Sequence, residues 1–96
     1  MQVLWLDRAA ADLAELFDYL LERNPGAALR VLSAIQGQVL MLGDHPGLGR
    51  PGRVPGTREL VVARTPYIVA YTVDHRIDAV IVLRVLHGAR LWPDEL

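Results

Sequence analysis

Apolar and polar positions divide the chain into segments of different period. "QVLWL", Gln2 to Leu6, is a short apolar run that reads as a first strand. From Arg8 to Arg23 the polar positions 8, 12, 15, 18 and 22 lie on one stripe and Leu13, Leu16, Phe17 and Leu20 on the other, the pattern of an amphipathic helix. Asp7 stands where it would cap that helix. "RNPGAA" then supplies a stop and a restart, with Asn24 as cap and Pro25 at the first helical position, where its missing N–H is not needed. The second helix is expected to run to about Leu42, with Ala28, Val31, Leu32, Ile35, Val39 and Leu42 on its packed face. Leu29, Leu40 and Met41 fall off that stripe, and Gly37 sits mid-helix at a cost of about 1 kcal/mol relative to Ala. Close approach of another backbone would account for both features.

Gly43 to Gly56 holds five Gly and three Pro, so it reads as an irregular but stiff loop. Gly47, Gly49 and Gly52 spell G-x-G-x-x-G, but a helix precedes and strands follow, the reverse of what a dinucleotide site requires. Three strands close the chain: Arg58 to Ala63, Tyr67 to Val73, and Ile77 to about Leu86, joined by connections short enough for an antiparallel meander. The expected fold is α+β with the order β-α-α-β-β-β, a two-helix hairpin packed on one face of a mainly antiparallel sheet, in a single domain over residues 1–96. Strict alternation along the last strand puts Ile77, Ala79, Ile81, Leu83 and Val85 under the helices. It puts Asp78, Val80, Val82, Arg84 and Leu86 on the open face.

Composition changes this picture in a few places. The chain has no Cys, which excludes a disulfide framework and a thiolate metal site and suits a reducing cytoplasm. The longest strictly apolar run, Ala79 to Leu83, is far short of a membrane span, and Asp7 interrupts the N-terminus before a signal core forms, so a cytoplasmic protein without membrane contact is expected. Net charge is −1, but residues 1 to 49 carry three Arg against six acids, while residues 50 to 96 carry seven Arg against five. Arg50 to Arg64 has four Arg and only Glu59. All ten basic residues are Arg, a bias that coding DNA or a need for guanidinium forks would produce equally. With 52% hydrophobic residues and no staple, a partner covering part of the surface is the simplest account.

Candidate chemistry is sparse. His45, His75 and His87 are isolated, so no metal is expected, and no cofactor motif stands out. Ser33 is the only serine and has no nucleophile elbow around it. What remains is an Arg set on the sheet half, Arg58, Arg64, Arg84 and Arg90, with His87, Glu59, Tyr67, Tyr71 and Trp92 as companions. Such a set suits either a phosphodiester clamp with His as acid or base, or the docking of an acidic protein surface.

"NPGAA" at the helical turn, "LGRPGRVPGTRELVV" from Leu48, "PYIVAYTV" from Pro66 and "VLRVLHGARLWP" from Val82, in this order, resemble the RelE/ParE toxin superfamily and its ParE-like, plasmid-stabilisation branch. The resemblance spans essentially the whole chain. It implies the toxin half of a bacterial type II toxin–antitoxin pair, and an antitoxin whose C-terminal part wraps the toxin. ParE-like members poison DNA gyrase, whereas RelE-like members cut mRNA on the ribosome. For a nuclease the resemblance implies Arg84 and His87 as catalytic residues, with Glu59 or Arg64 assisting. The chain has no Lys, no Tyr after Tyr71, and Gly88 directly after His87, departures that favour gyrase. On that reading Arg84, His87, Arg90 and Trp92 contact the target, while Leu29, Leu40 and Met41 with Arg50, Arg53 and Arg58 receive the antitoxin. A degenerate toxin that keeps only antitoxin binding is the remaining alternative.

Overall fold

A computed structural model describes residues 1–96. Its elements are β1 (Gln2–Trp5), α1 (Asp7–Arg23), α2 (Pro25–Leu40) with a 3-10 turn at Met41–Gly43, β2 (Arg50–Pro51), β3 (Arg58–Val61), β4 (Tyr67–Asp74) and β5 (Ala79–His87). They form one five-stranded sheet in the order β1-β5-β4-β3-β2, with β1 parallel to β5 and the other pairs antiparallel. The helical hairpin lies against one face and supplies Ala9, Leu16, Ile35 and Val39 to a core shared with Leu60, Val69, Tyr71, Val80, Val82 and Val85. Each such aliphatic side chain contributes about 1.5–3 kcal/mol when fully buried.

The helix boundaries follow local chemistry, with one correction. Asn24 caps α2, its Oδ1 accepting from the Ala27 amide at 3.1 Å, and Pro25 opens the helix. Asp7 does not cap α1: the cap position is Leu6, without a side-chain bond, and Asp7 lies in the first turn, where its charge complements the helix dipole. Pro25–Gly43, 19 residues of mean hydropathy 1.2, is long and apolar enough to cross a membrane by length and composition. Here its Ile35, Val39 and Leu42 fill the core instead. Leu29, Leu40 and Met41 do point outward, at 60%, 72% and 49% exposure. No backbone of this chain approaches Gly37.

The Gly43–Gly56 loop is more ordered than its composition suggests. It contributes the edge strand β2, with Arg50 opposite Glu59 and Pro51 opposite Arg58. Tyr71, fully buried, holds it from below: the hydroxyl donates to the Pro46 carbonyl and accepts from the Gly49 amide, both at 2.8 Å. A Cβ at Gly49 would lie 2.7 Å from the Tyr71 ring and hydroxyl, so only glycine admits this approach. Where β2 stops, the Gln38 side-chain amide takes over, donating to the Ala63 carbonyl at 3.3 Å and accepting from the Ala63 amide at 2.9 Å. It thereby closes the edge just past β3.

The expected alternation along β5 fails. Val80 and Val82, assigned to the open face, are completely buried in the core, while Ile81 and Leu83, assigned to the core, are half-buried. The cause is a register shift: Val82 opposes Tyr71 and Arg84 opposes Ala70, so Leu83 has no partner on β4. One extra residue flips the side-chain parity. Val85 was correctly placed in the core, and counting back from it in twos across the bulge puts Val80 and Val82 on the wrong face.

Candidate functional site

The same bulge sets up the site. β1 pairs with β5 only as far as Trp5 opposite Val82, after which the chain leaves the sheet as α1. From Arg84 onward β5 has a ladder partner on the β4 side alone. Asp12, in the middle of α1, meets this bare edge. Its carboxylate accepts from Arg84 Nε at 2.7 Å, from Arg84 Nη2 at 3.1 Å and from the Val85 amide at 3.0 Å. Arg84 therefore does not sit on an open sheet face as expected; it is 9% exposed and pairs with a carboxylate that is itself 8% exposed. The hydrogen bonds to Asp12 hold the guanidinium pKa above its ordinary value, against the opposing effect of burial. Arg8, one turn before Asp12, lies 3.6 Å from the same carboxylate and is largely exposed.

Beyond this pair α1 and the end of β5 diverge into a groove of about 350 Å³. α1 lines it with Arg8, Glu15, Leu16 and Tyr19; β4 gives Tyr67; and β5 with the segment after it gives Val85, His87, Arg90, Leu91 and Trp92. The His87 ring meets Tyr67 edge-on, with centroids 5.5 Å apart. Its Nδ1 accepts from the Ala89 amide at 3.1 Å, which places the proton of the neutral imidazole on Nε2. The His87 carbonyl receives the Arg90 amide at 3.1 Å and Trp92 Nε1 at 3.2 Å, folding the segment after β5 back on the strand end. Gly88 allows that turn, its amide donating to the Pro66 carbonyl at 2.8 Å. Burial pushes the Tyr67 phenol pKa above its ordinary value, and the nearby Arg90 opposes that rise.

Arg84, His87, Arg90 and Trp92, grouped from sequence as target contacts, do line this one groove. Glu59 and Arg64 do not join them. Glu59, 3% exposed, accepts from Arg50 Nη2 at 3.1 Å and the Arg53 amide at 2.8 Å, with Arg53 Nε at 3.5 Å. Arg64 occupies the exposed turn after β3 with φ of 66°. Arg58 donates to the Gly49 carbonyl at 2.7 Å and braces the loop. Arg53 also stacks on the Trp92 ring at 3.6 Å, which links the loop to the groove. Sequence reasoning missed Asp12, which looked like one more solvated position on the polar stripe of α1. The available signal was Arg84 itself, because a guanidinium within an apolar strand requires an acid.

Comparison with known proteins agrees with this architecture. Residues 3–92 match the family model for the ParE toxin of type II toxin–antitoxin systems, parDE. The Y4kP protein of Sinorhizobium fredii is 38% identical over 95 residues, covering 99% of this chain and 96% of that one. Toxin RelE2 of Caulobacter vibrioides is 37% identical over 90 residues, covering 94% and 98%. Among solved structures, the chromosomal ParDE toxin–antitoxin system from P. aeruginosa superposes with a TM-score of 0.80 at 32% identity, over 91% of this chain and 95% of that one. The RelBE2 toxin–antitoxin complex from Mycobacterium tuberculosis gives 0.57 at 26% identity, over 90% and 95%. Sequence and fold together make the chain a member of the ParE toxin family of type II toxin–antitoxin systems, within the RelE/ParE superfamily.

Proposed function

We propose that this toxin acts by binding, as an inhibitor of DNA gyrase in the cytoplasm, and that its antitoxin covers the outer side of α2. The observation that carries the reading is the state of the buried charges. The buried ionic residues are Asp12, Glu59 and Arg84, and each is spent on an internal pair: Asp12 with Arg84, Glu59 with Arg50 and Arg53. The His87 Nδ1 lone pair is taken by a backbone amide. A phosphodiester clamp needs a free guanidinium beside a free acid or base. Of the residues the resemblance assigns to a nuclease, Arg84 and Glu59 offer neither and Arg64 is remote from the groove, which leaves that reading only exposed Arg8 and Arg90 beside His87. Exposed Tyr19, Arg8, Arg90 and Leu91 around half-buried His87 and Trp92 instead make a mixed aromatic and Arg surface of the kind that anchors protein contacts. For the antitoxin, the exposed Leu29, Leu40 and Met41 offer apolar anchors. Arg50 and Arg53, about half exposed, keep N–H groups turned to solvent for an acidic segment.

The test is supercoiling by purified gyrase with and without the toxin, set beside mRNA cleavage on translating ribosomes. Inhibition of supercoiling by the wild type, reduced by a modest factor in His87→Ala and more in Arg84→Ala, is the expected result. Codon-specific cuts that fall by roughly two to four orders of magnitude in His87→Ala, with gyrase untouched, would replace it with the ribosome-dependent nuclease reading.

A further inference from the structure

We propose that Asp12 is a positioning residue of the groove: a carboxylate that touches no target itself but fixes the separation of α1 from β5 through Arg84 and Val85. The proposal rests on the groove being the surface that engages the target, but not on that target being gyrase.

No other α1 side chain is hydrogen-bonded to β5. The backbone tie between the two ends upstream, at the Leu6 amide on the Val82 carbonyl. All three bonds from Asp12 go to consecutive residues of β5, immediately after the unpaired Leu83. The carboxylate thus does the work of a missing strand, satisfying an amide on the bare edge, and at the same time turns Arg84 toward α1. Two charge-assisted bonds in fork geometry fix orientation as well as distance. Both walls of the groove start from this point: Glu15 and Tyr19 follow Asp12 by about one and two turns of α1, and His87 follows Val85 by two residues along β5.

Cutting Asp12 back to Ala leaves Arg84 Nε, Arg84 Nη2 and the Val85 amide pointing at a space that has lost one carboxylate. Formate has the shape and charge of what is removed. It should therefore refill the space, whereas chloride cannot bridge three donors in that arrangement.

The experiment uses the full chain, labelled with nitrogen-15, as wild type, Asp12→Ala, Asp12→Asn and Arg84→Ala, each checked for fold by binding its antitoxin. In Asp12→Ala the amide resonances of His87 and Tyr67, which make no contact with Asp12, should move along with those of Arg84 and Val85. Sodium formate, compared with sodium chloride at equal ionic strength, should return all four toward wild-type positions, but should not do so in Arg84→Ala. Asp12→Asn, which keeps an acceptor oxygen in place, should lie between, and it carries the test if Asp12→Ala does not fold. In cells, Asp12→Ala should need at least about tenfold more toxin for growth arrest, and adding Arg84→Ala should cost little more, because the two residues act as one unit.

Unmoved His87 and Tyr67 resonances in the folded variants would overturn the proposal and leave Asp12 a local tie. So would shifts that formate fails to reverse, or penalties of Asp12→Ala and Arg84→Ala that simply multiply. A wild-type toxin that arrests growth without inhibiting supercoiling would sink the gyrase reading alone.

Discussion

Removing one oxygen from Tyr71 tests whether the glycine- and proline-rich loop is held from beneath. Tyr71→Phe deletes a donor to the Pro46 carbonyl and an acceptor for the Gly49 amide, both at 2.8 Å and both under a fully buried ring. A net hydrogen bond is worth about 0.5–1.5 kcal/mol, and an orphaned buried amide adds to that, so the loss should be about 2–3 kcal/mol. For a domain of this size it corresponds to a melting temperature lower by roughly 10–20 °C. Urea unfolding followed by circular dichroism gives the value directly, with an unchanged m-value showing that the unfolded state is not the source. Gly49→Ala should be as damaging or worse, since the new Cβ would lie 2.7 Å from the Tyr71 ring and 2.9 Å from the Glu59 carbonyl. Tyr71→Phe should add little on top of it, because ring and carbonyl remain in the way. A change below about 0.5 kcal/mol in Tyr71→Phe, the scatter of an inconsequential surface substitution, would show that the loop is held by β2 and Arg58 without the hydroxyl.

Three other outcomes follow from the same structure. Arg84→Met should cost about 3–5 kcal/mol in urea unfolding because it strands the buried Asp12 carboxylate, and Asp12→Leu in the same chain should recover part of the loss. The Tyr67 pKa is raised above the ordinary 10.0, so its contribution to stability is present below that value and is lost as pH rises through the folded pKa. Phenolate absorbance should show a late-titrating component that Tyr67→Phe removes and Arg90→Ala moves still higher, and Tyr67→Phe should remove its share of the alkaline decline. Leu29→Ser with Leu40→Ser should leave stability within about 0.5 kcal/mol, both side chains being well exposed, yet weaken antitoxin binding in calorimetry; unchanged affinity would remove this face from the interface.

Much of the fold is legible because its signals are local. The period of α1, the Asn24-Pro25 restart and the strand from Tyr67 to Val73 each involve neighbours in sequence, and the structure agrees with them to within a residue or two. Apart from the Asp7 cap, a local error of one position, the misreadings depend on distant partners. β2 is two residues long and exists because Glu59 and Arg58 lie opposite it, and its own sequence, Arg50-Pro51, carries no strand pattern. Gln38 mimics a strand using only its side chain, from a helix 25 residues away from Ala63. The bulge at Leu83 is set by how β4 and β5 align, and the string Ile81-Val82-Leu83-Arg84 reads equally well in either parity.

The site shows how far a single residue carries an inference. Arg84 in an apolar strand demands either water or an acid, and treating the strand as unbroken selects water. Beyond Val82 the edge of β5 is bare, so α1 rather than water can cover Arg84, and the cost of burying it must be met by a carboxylate. Six acids precede Arg50 in the chain, and five of them lie on or beside the stripe of α1. Sequence therefore supplies the element that holds the partner without saying which turn of it faces β5. Position along the helix is fixed by where β1 stops pairing, at Trp5 opposite Val82. With β1 ending there, Asp12 is the acid that reaches Val85, and the groove beyond it is lined by exposed Arg8, Glu15 and Arg90 beside half-buried His87 and Trp92. A surface of that kind recognises by shape, aromatic contact and its exposed arginines, which is why the decisive comparison is between a binding assay and a cleavage assay on the same His87 variant.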